Sequence, residues 1–192
     1  MSLRPHPITL AFILSALLAA SPALALQSNP DSGATAESVT KQLKIQAVAN
    51  HKNILLAFGA SWCGNCRLFD RFLADPAIHP IMDKAFVFGD LATGERPTDQ
   101  RHSNIPGGVQ LEASLGGKDA GYPYIAIVDP QGNLIADSRR PAALGHGGNI
   151  GYPSAPYEVE WFVEMLKKSA PSLSTQDLAT IQTWLTTHST QH

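Results

Sequence analysis

ILLAFGASWCGNC, residues 54–66, ends an unbroken apolar run on the only two cysteines of a 192-residue chain. The run at 54–60 has the length and composition of a strand buried on both faces, as at the centre of an α/β sheet. Cys66, Phe69, Phe72 and Leu73 then recur at helical spacing, and the pattern stops at Asp75 before Pro76. The spacing predicts strand, tight turn and helix, with Cys63 at the helix start and Cys66 one turn inside it. A second apolar run at 85–91 completes a β-α-β unit, parallel and right-handed.

A chain that is 44% hydrophobic and 16% charged, with formal charge −2, is ordinary for a globular protein and lacks the basic excess of a nucleic-acid binder. One domain of this length buries a full core, so the cysteines are not needed as staples. A bridge between Cys63 and Cys66 closes so small a loop that it constrains the unfolded chain little. A zinc site wants two further Cys or His ligands at suitable spacing, and the sequence has no second CxxC and no close histidine pair. Redox exchange is the reading that remains strongest. Unpaired N–H groups at a helix N-terminus stabilise an anion, so Cys63 is expected as the nucleophile and Cys66 as the thiol that resolves a mixed disulfide.

The first 25 residues have the order of a signal peptide. Arg4 and His6 precede the apolar run 8–20, and Ala23-Leu24-Ala25 offers the small-x-small pattern of a cleavage site. A run of about 13 residues is short of the roughly 20 that span a bilayer, which favours a cleaved leader over an anchor. The expected product is a soluble exported protein whose residues 26–36 form a flexible lead-in.

Further along, Val39, Leu43 and Ala47 predict a surface helix over 37–50, and residues 124–128 and 133–137 read as an antiparallel hairpin turned by Asp129-Pro130-Gln131-Gly132. Val159, Phe162, Val163 and Leu166 predict a helix over 157–168. Ser174-x-x-Asp177 resembles a capping box opening a last helix that runs to about residue 187. Residues 92–121 are rich in Gly and Pro, too long for a structureless loop, and either fold locally, with a short helix at 109–115, or serve recognition. His146, within a glycine-rich stretch, reads as a surface-loop residue, and 139–153 either covers part of the active face or merely connects elements.

Trp62-Cys63-Gly64-Asn65-Cys66 after a hydrophobic strand, and Gly121-Tyr122-Pro123 before another, resemble the thioredoxin-like thiol–disulfide oxidoreductases. The resemblance spans about residues 37–168. It implies an α/β fold with a central mixed β-sheet flanked by helices, here carrying an insertion at 92–121 and an extra C-terminal helix at 170–188. It also implies that Pro123 is cis and faces the cysteine pair, that Trp62 and Tyr122 contact substrate, and that Gly64 and Asn65 tune the motif. The redox-active disulfide itself serves in place of a cofactor. The implied setting is the periplasm or another exported compartment, with protein thiols or disulfides as clients, a membrane redox partner and a monomeric state. Three departures stand out: residues 54–60 lack the buried aspartate used for the proton of the resolving cysteine, Asn65 replaces a common proline, and the insertion is long. Proton transfer at Cys66 is therefore expected to go to water. A neutral Asn65 favours a reductase or isomerase over a strong oxidase. The alternative is a copper-delivery module using Cys63, Cys66 and a histidine.

Overall fold

A computed structural model describes residues 26–27 and 33–188, so the expected leader lies outside the described residues. In chain order the elements are β1 (Leu26–Gln27), α1 (Ala36–Asn50), β2 (Asn53–Gly59), α2 (Gly64–Ala74), α3 (His79–Asp83), β3 (Phe86–Ala92), α4 (Gly108–Ser114), β4 (Tyr124–Val128), β5 (Leu134–Asp137), β6 (Arg139–Arg140), β7 (Gly148–Asn149), α5 (Pro156–Ser169) and α6 (Thr175–His188). The main sheet has the order β1-β3-β2-β4-β5. Strand β3 is parallel to β1 and β2, whereas β4 is antiparallel to both β2 and β5. This is the mixed thioredoxin-like sheet, with β2 at its centre.

Alternation along β2 builds two cores from one strand. Ile54, Leu56 and Phe58 pack with Val39, Leu43 and Ala47 of α1 on one side. Leu55 and Ala57 face Phe69 and Phe72 of α2 and Phe162 and Leu166 of α5 on the other. Full burial of each large side chain contributes about 1.5–3 kcal/mol, so the centre of β2 tolerates little change. Local signals fix the helix ends. Ser38 N–H donates to Thr35 Oγ1 at 3.1 Å and Thr35 N–H to Ser38 Oγ at 2.9 Å, a reciprocal cap that starts α1. In the β4–β5 turn, Asp129 Oδ1 accepts from the N–H groups of Gln131 and Asn133, and Gly132 takes φ 98°, which suits glycine.

The last helix is not a mere appendage. Ser174 and Asp177 form the expected cap, and Ile181 and Leu185 are fully buried in the α2/α5 core. Trp184 packs on Phe72 at 5.3 Å between ring centroids. Lys84 Nζ meets Asp177 Oδ1 at 2.6 Å, tying α6 to the end of α3. The insertion folds locally, as one of its two expected outcomes. Thr93 and Gly94 donate their N–H groups to Gly59 O, Ile105 N–H returns to Ala92 O at 2.8 Å, and α4 follows. Three elements were not expected: the short helix α3, the strand β1 within the lead-in thought flexible, and the small β6–β7 ribbon. Two-residue strands carry too little periodicity to be read from sequence. No helix among the described residues is long and apolar enough to cross a membrane.

Candidate active site

Helix α2 begins immediately after the turn that leaves β2, and Cys63 is its N-cap, with φ −75° and ψ 112°. Cys63 Sγ accepts the N–H of Cys66 at 3.0 Å, so an otherwise unpaired backbone donor already points at that sulfur. Cys63 and Cys66 are joined as a disulfide with Cα atoms 5.3 Å apart. Cys63 is only 4% exposed, whereas Cys66 is half-buried and Gly64 and Asn65 are exposed on the first turn. The Cys66 sulfur lies against the end of β2. A Cβ at Gly59 would come within 2.8 Å of Cys66 Sγ, so glycine is what lets the helix seat there.

Of the other expected site residues, Tyr122 meets Trp62, the chain neighbour of Cys63, and Pro123 follows it. Trp62 Nε1–H donates to Gly94 O at 2.8 Å, and its ring meets Tyr122 edge-on at 6.3 Å. The guanidinium of Arg96 lies 5.1 Å over the Trp62 ring. The Tyr122–Pro123 bond is cis, as the resemblance implies, with Pro123 buried and Tyr122 half-buried. The turn before Trp62 is held by Glu95, whose carboxylate accepts from Ser61 N–H at 2.6 Å and Ser61 Oγ at 2.8 Å.

One residue from the 139–153 stretch fixes the turn that carries Tyr122 and Pro123. Asn149 Nδ2 donates to Gly121 O and, at 3.0 Å, to Pro123 O, while Asn149 Oδ1 accepts from Ser138 Oγ at 2.6 Å. Ser138 is fully buried, and its Oγ accepts the N–H of Ile125 at 2.8 Å. This stretch is therefore more than a connection. Nothing local in the sequence singles out Asn149, because its partners lie on β4 and the preceding turn.

Carboxylates gather beside Cys66. The strand β2 lacks the aspartate of the resemblance, and the neighbour of its Ala57 in register on parallel β3 is Asp90. Partners in register share a face of the sheet, so Asp90 stands on the α2 side, and Asp70 lies one turn beyond Cys66 on α2 itself. Asp90, Asp70 and Cys66 all border one cavity of about 370 Å³. Partial desolvation first, and then the neighbouring Asp70 charge, push the Asp90 carboxyl up to about 6, although the residue still reaches solvent. Burial also raises Asp70. The expectation that only water serves Cys66 omitted these groups. A single charge inside the apolar run at 85–91 was the available signal.

His146 lies exposed on its loop, its ring stacked on Tyr157 at 4.6 Å. Among the described residues, the group of three metal-capable side chains is Glu95, Asp99 and His102, which contains neither cysteine. Among the described residues, no such group joins a histidine to the cysteine pair.

The sequence matches a thioredoxin-like family over residues 37–130, from α1 through β4, including both cysteines. No curated protein matches the chain. Among solved structures it is similar to a disulphide isomerase from Xylella fastidiosa Temecula1, with 19% identity, 82% of this chain and 93% of that chain covered, and a TM-score of 0.47. It is similar to a DsbH oxidoreductase at 18% identity, covering 80% and 94%, with a TM-score of 0.43. The oxidised C-terminal domain of Neisseria meningitidis DsbD gives 19% identity, coverage of 68% and 96%, and a TM-score of 0.38. The matched segment, together with the sheet topology, gives the chain a thioredoxin-like fold.

Proposed function

Because residues 37–130 belong to the thioredoxin-like family, we propose that the protein is a thiol–disulfide oxidoreductase that reduces or isomerises disulfides of client proteins through Cys63 and Cys66. The observation that carries this reading is the bonded pair at the N-terminus of α2, with the Cys66 N–H directed at Cys63 Sγ. A thiolate at Cys63 is favoured there by that donor and by the helix dipole. The Cys63 thiolate attacks a client disulfide, forming a mixed disulfide and expelling one client thiolate. Cys66 then loses its proton and attacks Cys63 Sγ. The second client thiolate leaves, the client is reduced by two electrons, and the protein pair is oxidised. Asp90, at about 6 and bordering the same cavity as Cys66, has the affinity of a base that works near neutral pH.

Trp62, Tyr122 and Pro123 form the face over which an extended client segment would lie. The leader-like residues 1–25 support an exported location, where a membrane electron supplier would keep the pair reduced. Neutral Asn65 supports the reducing direction, since the helix terminus then supplies most of the thiolate stabilisation.

The test is dithiol-driven insulin reduction with trapping. Cys63→Ser should abolish turnover, and Cys66→Ser should accumulate mixed disulfides at Cys63. Capture by the Cys63→Ser variant and none by Cys66→Ser would reverse the two roles. Wild-type protein inert toward insulin would sink the enzymatic reading.

A further inference from the structure

The face formed by Trp62 and Tyr122 continues onto the insertion at 92–121. Trp62 stays 46% exposed although the Arg96 guanidinium lies 5.1 Å over its ring, so ring and cation present one surface. Gly94 seats both aromatic side chains next to Arg96: its carbonyl accepts the Trp62 Nε1–H, and a Cβ there would collide with the Tyr122 ring. Stacking on Trp62 holds the guanidinium by its face and leaves the in-plane fork of N–H groups pointing outward. Among the described residues, no hydrogen bond or ion pair takes up that fork. Exposed Arg101 borders the same hollow of about 490 Å³ as Arg96. Asp99 is the third charge on that hollow, and both its oxygens are engaged. Oδ1 accepts the N–H groups of Arg101 and His102, and Oδ2 pairs with His102 Nδ1 at 2.9 Å. Glu95 is buried with its two oxygens on Ser61. On the Tyr122 side, exposed Lys118 and Asp119 offset each other in formal charge. The surplus charge at the rim of the face is therefore positive.

We propose that Arg96 is a specificity-determining residue, which selects client polypeptides carrying an aspartate or glutamate within a few residues of the disulfide to be reduced. The inference rests on the exchange reading above and names its substrate class; the exchange steps at Cys63 and Cys66 are unchanged. An extended client chain advances about 3.3 Å per residue, so a segment crossing Trp62 brings side chains close to the client cysteine over the guanidinium. A carboxylate there accepts two parallel N–H bonds from the fork, a pairing that fixes orientation as well as adding attraction. A lysine in the same place meets like charge from Arg96 and Arg101.

The experiment measures dithiol-driven reduction of synthetic peptides by the full-length protein, above the uncatalysed rate. Each peptide has one internal disulfide flanked by Glu, Gln or Lys and is otherwise identical. At low salt, kcat/KM for the Glu peptide should exceed that for the Gln peptide about fivefold, through KM, with the Lys peptide slowest. The gap should close as ionic strength rises. Arg96→Gln should bring the Glu and Gln peptides within about twofold of each other, and Arg96→Lys, which keeps the charge without the fork, should fall between. Equal rates for the wild-type protein would overturn the proposal and leave the exchange reading in place. So would an acid preference that survives Arg96→Gln, including an equal slowing of all peptides, the mark of a merely structural role. No turnover of any peptide or of insulin would count against the exchange reading and would take this inference with it.

Discussion

The two sulfurs of one disulfide sit in unlike surroundings. Around Cys63 the neighbours are aromatic rings and backbone carbonyls held by hydrogen bonds, namely Trp62 on Gly94, Tyr122 against Trp62, and the Pro123 turn on Asn149. Around Cys66 they are carboxylates bordering open space. The difference separates two tasks that a redox pair must perform. On the proposed function, a client would be met by a fixed, largely apolar surface, where the position of an extended backbone matters. The proton of Cys66 would be handled by charge and water. The two ends share the S–S bond, the first turn of α2 and the Glu95–Ser61 contact, so substitutions that spare these should leave the other side's chemistry largely intact.

Asn149 offers the strongest way to break that separation. Its side chain serves two carbonyls and a buried hydroxyl at once. Asn149→Ala leaves Pro123 O and Ser138 Oγ short of a partner, a loss of about 1–3 kcal/mol for a buried polar group left unsatisfied. Thermal unfolding should shift down accordingly. Exchange with insulin should fall several-fold more than reduction by a small dithiol. An equal loss for both would mean that the turn supports the whole fold and that the two ends are not separable.

How far the sequence reveals this division follows from the range of the forces involved. The β2–α2 unit was readable because its signals are local: an apolar run, a helical stripe from Cys66 to Leu73, and a Pro stop. The caps of α6 and the Asp129 turn were readable for the same reason, since their hydrogen bonds span three or four residues. Expected helix and strand bounds agree with the observed elements to within a residue or so. The partners of Asn149, by contrast, lie 26 and 28 residues away, and no local pattern encodes them. Asp90 was visible as a charge in an apolar run, but its place opposite Ala57 required the register of β3 against β2. The depth of α6 in the core depended on Phe72, which the helix meets only after the chain has crossed the sheet.

Asn65 sharpens the comparison from the Cys63 side. It is exposed on the first turn of α2, so Asn65→His introduces a side chain that carries charge below about pH 6.5 without disturbing the core. An imidazolium beside Cys63 stabilises its thiolate and hence the reduced pair. Equilibration with glutathione should move the potential toward oxidising values by about 30 mV, equivalent to about 1.4 kcal/mol, with a larger shift at lower pH. An unchanged potential would show that charge between the cysteines does not reach Cys63.

Asp90 probes the Cys66 side through pH. Its carboxyl is raised from 3.8 to about 6, so the folded chain retains a proton there over a range where the unfolded chain has released it. Stability tied to this group is therefore fully present below about pH 4 and lost as pH rises through 6, the reverse of a salt-bridged carboxylate. The groups bordering the same cavity are Asp70, Arg67, Glu95 and His102, and Asp70 adds repulsion once Asp90 ionises. Asp90→Asn removes both the ionisation and that repulsion. Denaturant melts should converge near pH 4 and diverge above 6, with the variant more stable by about 1 kcal/mol, well short of the full linkage value because the carboxylate is open to water and screened. The same variant should resolve mixed disulfides at Cys63 more slowly near neutral pH, since Cys66 has lost a base. Superimposable stability curves would mean that Asp90 titrates alike in both states. Asp90 would then be fully ionised at neutral pH and add its charge to those of Asp70 and Glu95 at the Cys66 end.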